Sequence, residues 1–402
     1  MPNARPMILS LFSAAALGAG ALAGSLTPPA GAPTSTYRTL QEVEPRTPLT
    51  QSVAPGDADS LYKITQPGNY YLTGDLVGVA GKAGIEITTS DVSIDLNGFT
   101  MRGVAGAKWA IGDHGDEQLP SPNNITIRNG TIAFWPQNGV SGDWFGGVRI
   151  ERIAFRANGY SGVSVNSTAT VIDSAFYGHT GTGVSIDGAG LVSHCVSVGN
   201  AVGFYGNGVH FESCSSSYDQ TGFSGSSSHF IDCTAANSSS FGFELNARSL
   251  ARGCKASNTP TGAKLVGPYS AVEDCSFLGI GVNGVLVGAV HCTVKNNTFH
   301  GVGTSNTDAA IQVNVGVTNV LIAGNSGTAV KRGVDVDGTN CLIVGNSFGG
   351  LLTGGSYTYS FAAGNRYGPI VGAATGPSIV VSPNQSIAGS FSTTDPNANI
   401  SY

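Results

Sequence analysis

From Gly162 to Phe348 the chain repeats one short alternating pattern: a glycine, an apolar residue, an outward-facing residue and a second apolar residue. It reads Gly162-Val-Ser-Val165, Gly183-Val-Ser-Ile186, Gly242-Phe-Glu-Leu245, Gly262-Ala-Lys-Leu265, Gly284-Val-Leu-Val287 and Gly333-Val-Asp-Val336. With Gly203, Gly222 and Ala310 included, the steps are 21, 20, 19, 20, 20, 22, 26 and 23 residues. Alternation buries one face of each strand. A recurrence of about 20 residues, rich in β-branched residues, predicts a solenoid built from strands. A second landmark keeps pace: Cys195, Cys214, Cys233, Cys254 and Cys275 each follow a repeat position by 11 to 13 residues.

The same grammar extends outward in both directions. Ile85-Glu-Ile87, Val92-Ser-Ile94 and Asn97-Gly-Phe99 predict three strands in one turn, and Ile125/Ile127 with Ile132, then Val148/Ile150 with Phe155, repeat the triplet. Twelve turns open at positions 84 through 333, and a thirteenth ends near Asn365-Arg366-Tyr367. Three stacked strands per turn predict an all-β, right-handed parallel β-helix of about 12–13 coils. Leu61-Tyr-Lys-Ile64 and Tyr70-Tyr-Leu72 read as a cap on the first end, which a solenoid needs to cover its terminal edge. Four segments follow: 1–23, a signal peptide; 24–59, a Pro/Ser/Thr-rich linker; 60–368, the capped β-helix; and 369–402, a C-terminal capping tail.

Composition narrows the partners. Charged residues make up 11% of the chain and net charge is −6, which disfavours nucleic acid, whose phosphates need a basic face. No apolar run reaches the roughly 20 residues that span a bilayer. Arg5, the apolar run Ile8–Leu22 and Ala21-Leu22-Ala23 have the three parts of an export signal, with cleavage expected after Ala23 and a secreted or extracytoplasmic location. An oxidising compartment permits disulfides. Stacked parallel side chains keep their Cβ atoms too far apart for one, so the five aligned cysteines are expected to be a buried column of free thiols. Asn297, Asn325, Asn346 and Asn365 are expected to continue that column as an amide ladder, because buried polar groups must be paired.

The strand Gly-Val-x-Val followed by Val-x-Ile-x-x-Cys-x-Phe resembles the repeats of the pectate-lyase-like superfamily. Ile64-Thr-Gln-Pro-Gly-Asn-Tyr-Tyr-Leu72 and Val92-Ser-Ile-Asp-Leu-Asn-Gly98 resemble the first coils of bacterial secreted β-helix proteins. The resemblance spans about residues 60–370. It implies a fold and leaves the reaction open, since this fold hosts lyases, hydrolases, epimerases and adhesins. The adjacent aspartates, Gly-His-Gly and Arg-x-Lys of polygalacturonases are absent, and Arg149 and Arg152 match no pectate-lyase motif.

In related enzymes the substrate lies along the first strand and the loop after it. The residue four places after each repeat position reads Thr88, His114, Asp143, Asn166, Asp187, Asn207, Ser226 and Asn246. The insertion around His114 adds Asp113, Asp116 and Glu117, and all three tryptophans, Trp109, Trp135 and Trp144, fall on these early turns. Rings stack on sugar faces, while carboxylates and imidazole exchange protons. The expectation is a monomer that binds, and as an enzyme cleaves, polysaccharide or a cell-surface glycan. His114 and Asp143 form the acid/base pair, supported by Asp113, Asp116, Glu117 and Asp187. Trp109 and Trp144 are the platform, and Asn166 and Asn207 contact substrate. The rival expectation is a non-catalytic adhesive rod. Asp335 and Asp337, two residues apart, are the one candidate pair for Ca2+; ordinary turn chemistry is the competing reading. His210 and His229 are expected as two stacked, solvated histidines rather than ligands.

Overall fold

The computed structural model describes residues 44–113, 121–354, 357–372 and 395–401. The expected export signal therefore lies outside the described residues. From Arg46 onward the chain forms one compact unit. Among the described residues every named strand pairing is parallel, and none of them is helical. No helix is long and apolar enough to cross a membrane.

The strands form three sheets that run the length of this unit. The first sheet stacks fourteen strands, from Ser60–Ile64 and Ala83–Ile87 through Val163–Val165 to Arg332–Val336 and Tyr357–Phe361. The segment read as a cap is thus the first turn itself, with Ser60 in register with Ala83 and Tyr70 with Ile94. The edge of that turn is covered in part by Thr47–Pro48, which pairs with Tyr70 and Tyr71. Leu49 and Ala54 lie buried beside it, so the folded body begins ahead of Ser60.

The repeat glycines are explained by space. A Cβ on Gly162 would come within 2.5 Å of Phe176 and 2.7 Å of the Gly183 carbonyl; on Gly262, within 2.3 Å of Phe277. The backbone there turns inward beneath the phenylalanines of the third sheet, and any side chain collides. Rings stack turn on turn in the third sheet, Phe155 on Phe176 and Phe277 on Phe299, and in the first, Phe204 on Phe223 and Phe223 on Phe243, each pair with centroids 5.0 Å apart. That spacing is close to the strand spacing of about 4.8 Å, so offset-stacked rings follow directly from in-register rungs.

The bend between the second and third sheets is one residue in left-handed conformation on each turn. Asp173, His194, Ser213, Asp232 and Asp274 have φ between 50° and 55°, and Gly253 has φ 66°. This column is turn chemistry, as the residue types predicted. Just after it comes the internal column. Cys195, Cys214, Cys233, Cys254 and Cys275 are at most 3% exposed, and all seven cysteines are free thiols. Each Sγ of the five column cysteines donates to a carbonyl of the preceding turn, as from Cys254 to Phe230 O at 3.2 Å. Burial pushes the Cys254 thiol well above its usual range, which keeps it neutral.

Asn297, Asn325 and Asn346 continue the column. Asn365 does not. It belongs one corner earlier, where its Oδ1 accepts the Cys341 N–H at 2.9 Å. The last ladder amide is Asn399, whose Oδ1 accepts the Asn346 N–H at 3.1 Å while Nδ2 donates to Ile343 O. Asn399–Ser401, in the tail, forms a strand on Ser347–Gly349, and Ile370–Gly372 pairs with it in turn. The repeat spacing misplaces the amide because the chain between these strands is too long for one turn.

A second internal ladder lies at the corner between the third and first sheets. Asn158 accepts the Trp135 N–H, His179 Nδ1 accepts the Asn158 N–H at 3.0 Å, Asn200 accepts the His179 N–H at 2.7 Å, and Asp219 accepts the Asn200 N–H at 2.6 Å. All four side chains are buried. Burial lowers the His179 pKa to about 4. In the unfolded chain an imidazole titrates near 6.5. Between those values the unfolded chain takes up a proton that the folded one refuses, so stability is expected to fall as pH drops from about 6.5 to 4, by about 3 kcal/mol from this group. Buried Asp219 has a raised pKa and works in the opposite direction. The check is the difference in urea midpoint between wild type and His179→Asn at pH 7.5 and 4.5. The wild type should lose more, and equal losses would remove His179 as the cause.

Candidate functional site

The outer face of the first sheet is read from its register. Glu86, Gly112, Ser141, Ser164, Ser185, Tyr205, Ser224, Glu244 and Lys264 occupy one outward column. Both ends of this series are charged. Lys63 pairs with Glu86 at 2.9 Å, and Lys264 with Glu244 at 3.8 Å. Between these pairs run six turns, Gly112 to Ser224, with no charged side chain in the column. Five strand spacings of about 4.8 Å make this an uncharged lane about 24 Å long.

Trp109 lies at the start of the lane. Its ring covers Gly112, where an added Cβ would sit 3.0 Å from Cε3. The missing side chain on Gly112 leaves room for the indole, which remains half-buried. Along one rim, Asp143, Asn166, Asp187 and Asn207 are exposed on four consecutive turns. Asn166 Nδ2 donates to Asp143 Oδ1 at 3.0 Å, and Asn207 Nδ2 to Asp187 Oδ1 at 2.9 Å. A further pair of this kind, Asn124 to Asp91 at 2.7 Å, occupies the bend into the second sheet. Stacked amide–carboxylate pairs hold side chains in fixed orientation and satisfy one carboxylate oxygen.

The sequence-predicted residues thus separate. Trp109, Trp144, Asp143, Asn166, Asp187 and Asn207 border one face. Asp113 points inward instead, in register with Ile87 and 5% exposed, where its carboxylate accepts the Trp144 N–H. It positions the backbone at Trp144. Trp135 is wholly buried, with Nε1 donating to Met101 O at 3.2 Å, and fills the wide early coil. His114, Asp116 and Glu117 lie outside the described residues.

Asp335 is buried beside Arg332, 2.5 Å from its Nη1, and Tyr357. Burial and Asp335 together raise the pKa of exposed Asp337. The Ca2+ candidate carboxylate is therefore already neutralised by a guanidinium. Among the described residues no three His, Cys, Asp or Glu side chains are grouped to hold a metal. His210 and His229 stack edge to face at 6.2 Å on the outer side of the second sheet.

Sequence reasoning missed the Asn158–His179–Asn200–Asp219 ladder. Its signal was present: each member lies three or four residues before a repeat glycine.

No family profile and no curated protein matches the chain. Solved structures do. A tailspike protein of E. coli bacteriophage HK620 aligns with TM-score 0.52 at 12% identity, covering 75% of this chain and 73% of its own. The A-module of mannuronan C-5 epimerase AlgE6 from Azotobacter vinelandii aligns with TM-score 0.44 at 12% identity, covering 74% and 91%. The surface adhesin PfbA of Streptococcus pneumoniae aligns with TM-score 0.39 at 12% identity, covering 71% and 81%. At such identity a likeness is one of fold alone, and the tailspike alignment carries it. Its rungs, its corners and that likeness make this chain a right-handed parallel β-helix.

Proposed function

We propose that the chain binds polysaccharide along the outer face of its first sheet, on the turns from Trp109 to Ser224. The observation that carries this reading is the indole of Trp109 seated over Gly112 at the head of an uncharged, hydroxyl-bearing lane. Sugars are recognised by aromatic faces and by short polar side chains that exchange hydrogen bonds with hydroxyls. Ser141, Ser164, Ser185 and Tyr205 supply the second, and the Asp–Asn pairs of the rim add fixed donors and acceptors. Cleavage is a further step assigned to His114 and Asp143, with Asp116, Glu117 and Asp187 beside them. An extracytoplasmic location follows from the export signal read in residues 1–23.

The test is a glycan-array screen followed by calorimetry on the best ligand. Trp109→Ala should weaken binding by on the order of tenfold or more, as loss of an aromatic anchor does, without moving the thermal transition. Assays for reducing ends and unsaturated products on that ligand, with Asp143→Asn as comparison, then decide between binding and cleavage. A wild type that binds no glycan, or a Trp109→Ala variant that binds equally well, overturns the reading in favour of an adhesive rod.

A further inference from the structure

The bend from the first to the second sheet is a left-handed residue on many turns. Asp91, Asn124, Ser227, Asn319 and Asn340 fill it with short side chains at φ between 49° and 61°. These are mostly the residue types that tolerate the conformation. Three consecutive turns break the rule: Arg248, Tyr269 and His291 have φ of 59°, 63° and 58°. The hydrogen bonds place them in one column, since Arg248 N donates to Pro268 O, Tyr269 N to Val290 O and His291 N to Thr318 O. Large side chains persist in a strained conformation where the surroundings impose it, and such residues cluster at ligand sites.

All three side chains are exposed. Tyr269 is 59% exposed, and His291 stacks on it with centroids 5.0 Å apart and planes 3° apart. One face of the tyrosine is thereby taken. The opposite face is turned along the solenoid toward the turn that carries Arg248. Arg248 is exposed, and among the described residues its guanidinium has no hydrogen-bond, ion-pair or ring partner. The acid on the outer face of the same turn, Glu244, is matched by Lys264, which also lies over the Phe241 ring. An unpaired cation beside an aromatic face, on a chain of net charge −6, is a local departure from its surface. The trio begins one turn beyond Ser224, the far end of the uncharged lane.

We propose that Arg248, Tyr269 and His291 form a subsite for an anionic sugar, a hexuronate unit of a polysaccharide whose other units lie in the lane. The sugar face rests on Tyr269, and the guanidinium fork takes the carboxylate, for which its geometry is suited. His291 backs the tyrosine ring and fixes its plane. This inference rests on the glycan-binding reading and adds the charge of the ligand.

The experiment compares oligogalacturonate with the same oligosaccharide after its carboxyl groups have been reduced to alcohols. Binding is measured by calorimetry to the full chain, with Arg248→Asn and Tyr269→Asn as variants. Asparagine already occupies this bend on three other turns, so both variants should melt at or above the wild-type temperature. The wild type should prefer the charged ligand, and Arg248→Asn should reduce that preference by on the order of tenfold. Tyr269→Asn should weaken the charged ligand by a similar factor. A wild type that binds both forms equally, or an Arg248→Asn variant that keeps the preference, overturns the subsite and leaves glycan binding standing. A lower melting temperature in both variants would make the side chains structural and likewise overturn it. Failure of both oligosaccharides and of every array glycan to bind overturns the subsite together with the reading beneath it.

Discussion

Ile186→Asp is expected to remove folded protein, and Ser185→Asp, one residue away, to leave it nearly unchanged. Ile186 is 0% exposed and sits between Val165 and Gly206 in the first sheet. A carboxylate there meets no partner. An unpaired charge in the core costs on the order of 4 kcal/mol or more, a large part of the stability of an ordinary domain. Ser185 faces outward, in register with Ser164 and Tyr205, and is half-buried. Surface changes of that kind stay within about 0.5 kcal/mol. Because each turn of a solenoid contacts only its neighbours, the damage should begin locally. Soluble yield and limited proteolysis around residues 160–210 report it. Equal effects at the two positions would mean that the strand is shifted by one residue, since side chains alternate faces.

The second large effect concerns the amide ladder. Asn325 is 0% exposed and its side chain makes four hydrogen bonds. Its Oδ1 accepts the Asn297 N–H at 2.9 Å and the Asn297 side-chain amide at 3.0 Å. Its Nδ2 donates to Val294 O and to Asn346 Oδ1, both at 2.9 Å. Asn325→Leu leaves donors and acceptors stranded on both neighbouring turns. Each buried orphan costs about 1–3 kcal/mol, so a loss on the order of 4 kcal/mol is expected in urea unfolding. Asn325→Cys should cost about half as much. On five earlier turns a thiol in this position donates to the equivalent carbonyl, as Cys275 does to Ala251 O at 3.5 Å. A thiol can restore the bond to Val294 but offers Asn297 little. Should Leu prove as stable as Asn, the ladder would be a passenger of the fold.

These two columns show what the residues disclosed unaided. Cysteine and asparagine recur at one phase of the repeat, and the phase alone marks the position as internal. Placement on the surface is harder. Asp113 was read with the site because it adjoins His114, yet a single step along a strand reverses the face, and Asp113 points into the core. Trp135 and Trp109 are equally tryptophan and equally early. One fills the coil and the other lies on the sheet, and only the packing of Gly84 and Gly112 around them separates the two.

The repeat glycines, the alternation of apolar residues and the regular cysteines were enough to determine the β-helix, its three sheets and the inward position of its ladders. They suffice because strand period and rung spacing are local properties of the backbone. The exchange of Asn365 for Asn399, the hydrogen-bonded Asp–Asn pairs and the meeting of Tyr269 with His291 were decided by the tertiary structure. Turns of 19 to 29 residues absorb their extra length at corners, and nothing in the order of residues says which corner yields. Once the sheets are stacked, the hydrogen bonds between turns leave each corner residue a single partner. Residues twenty or fifty positions apart then become neighbours.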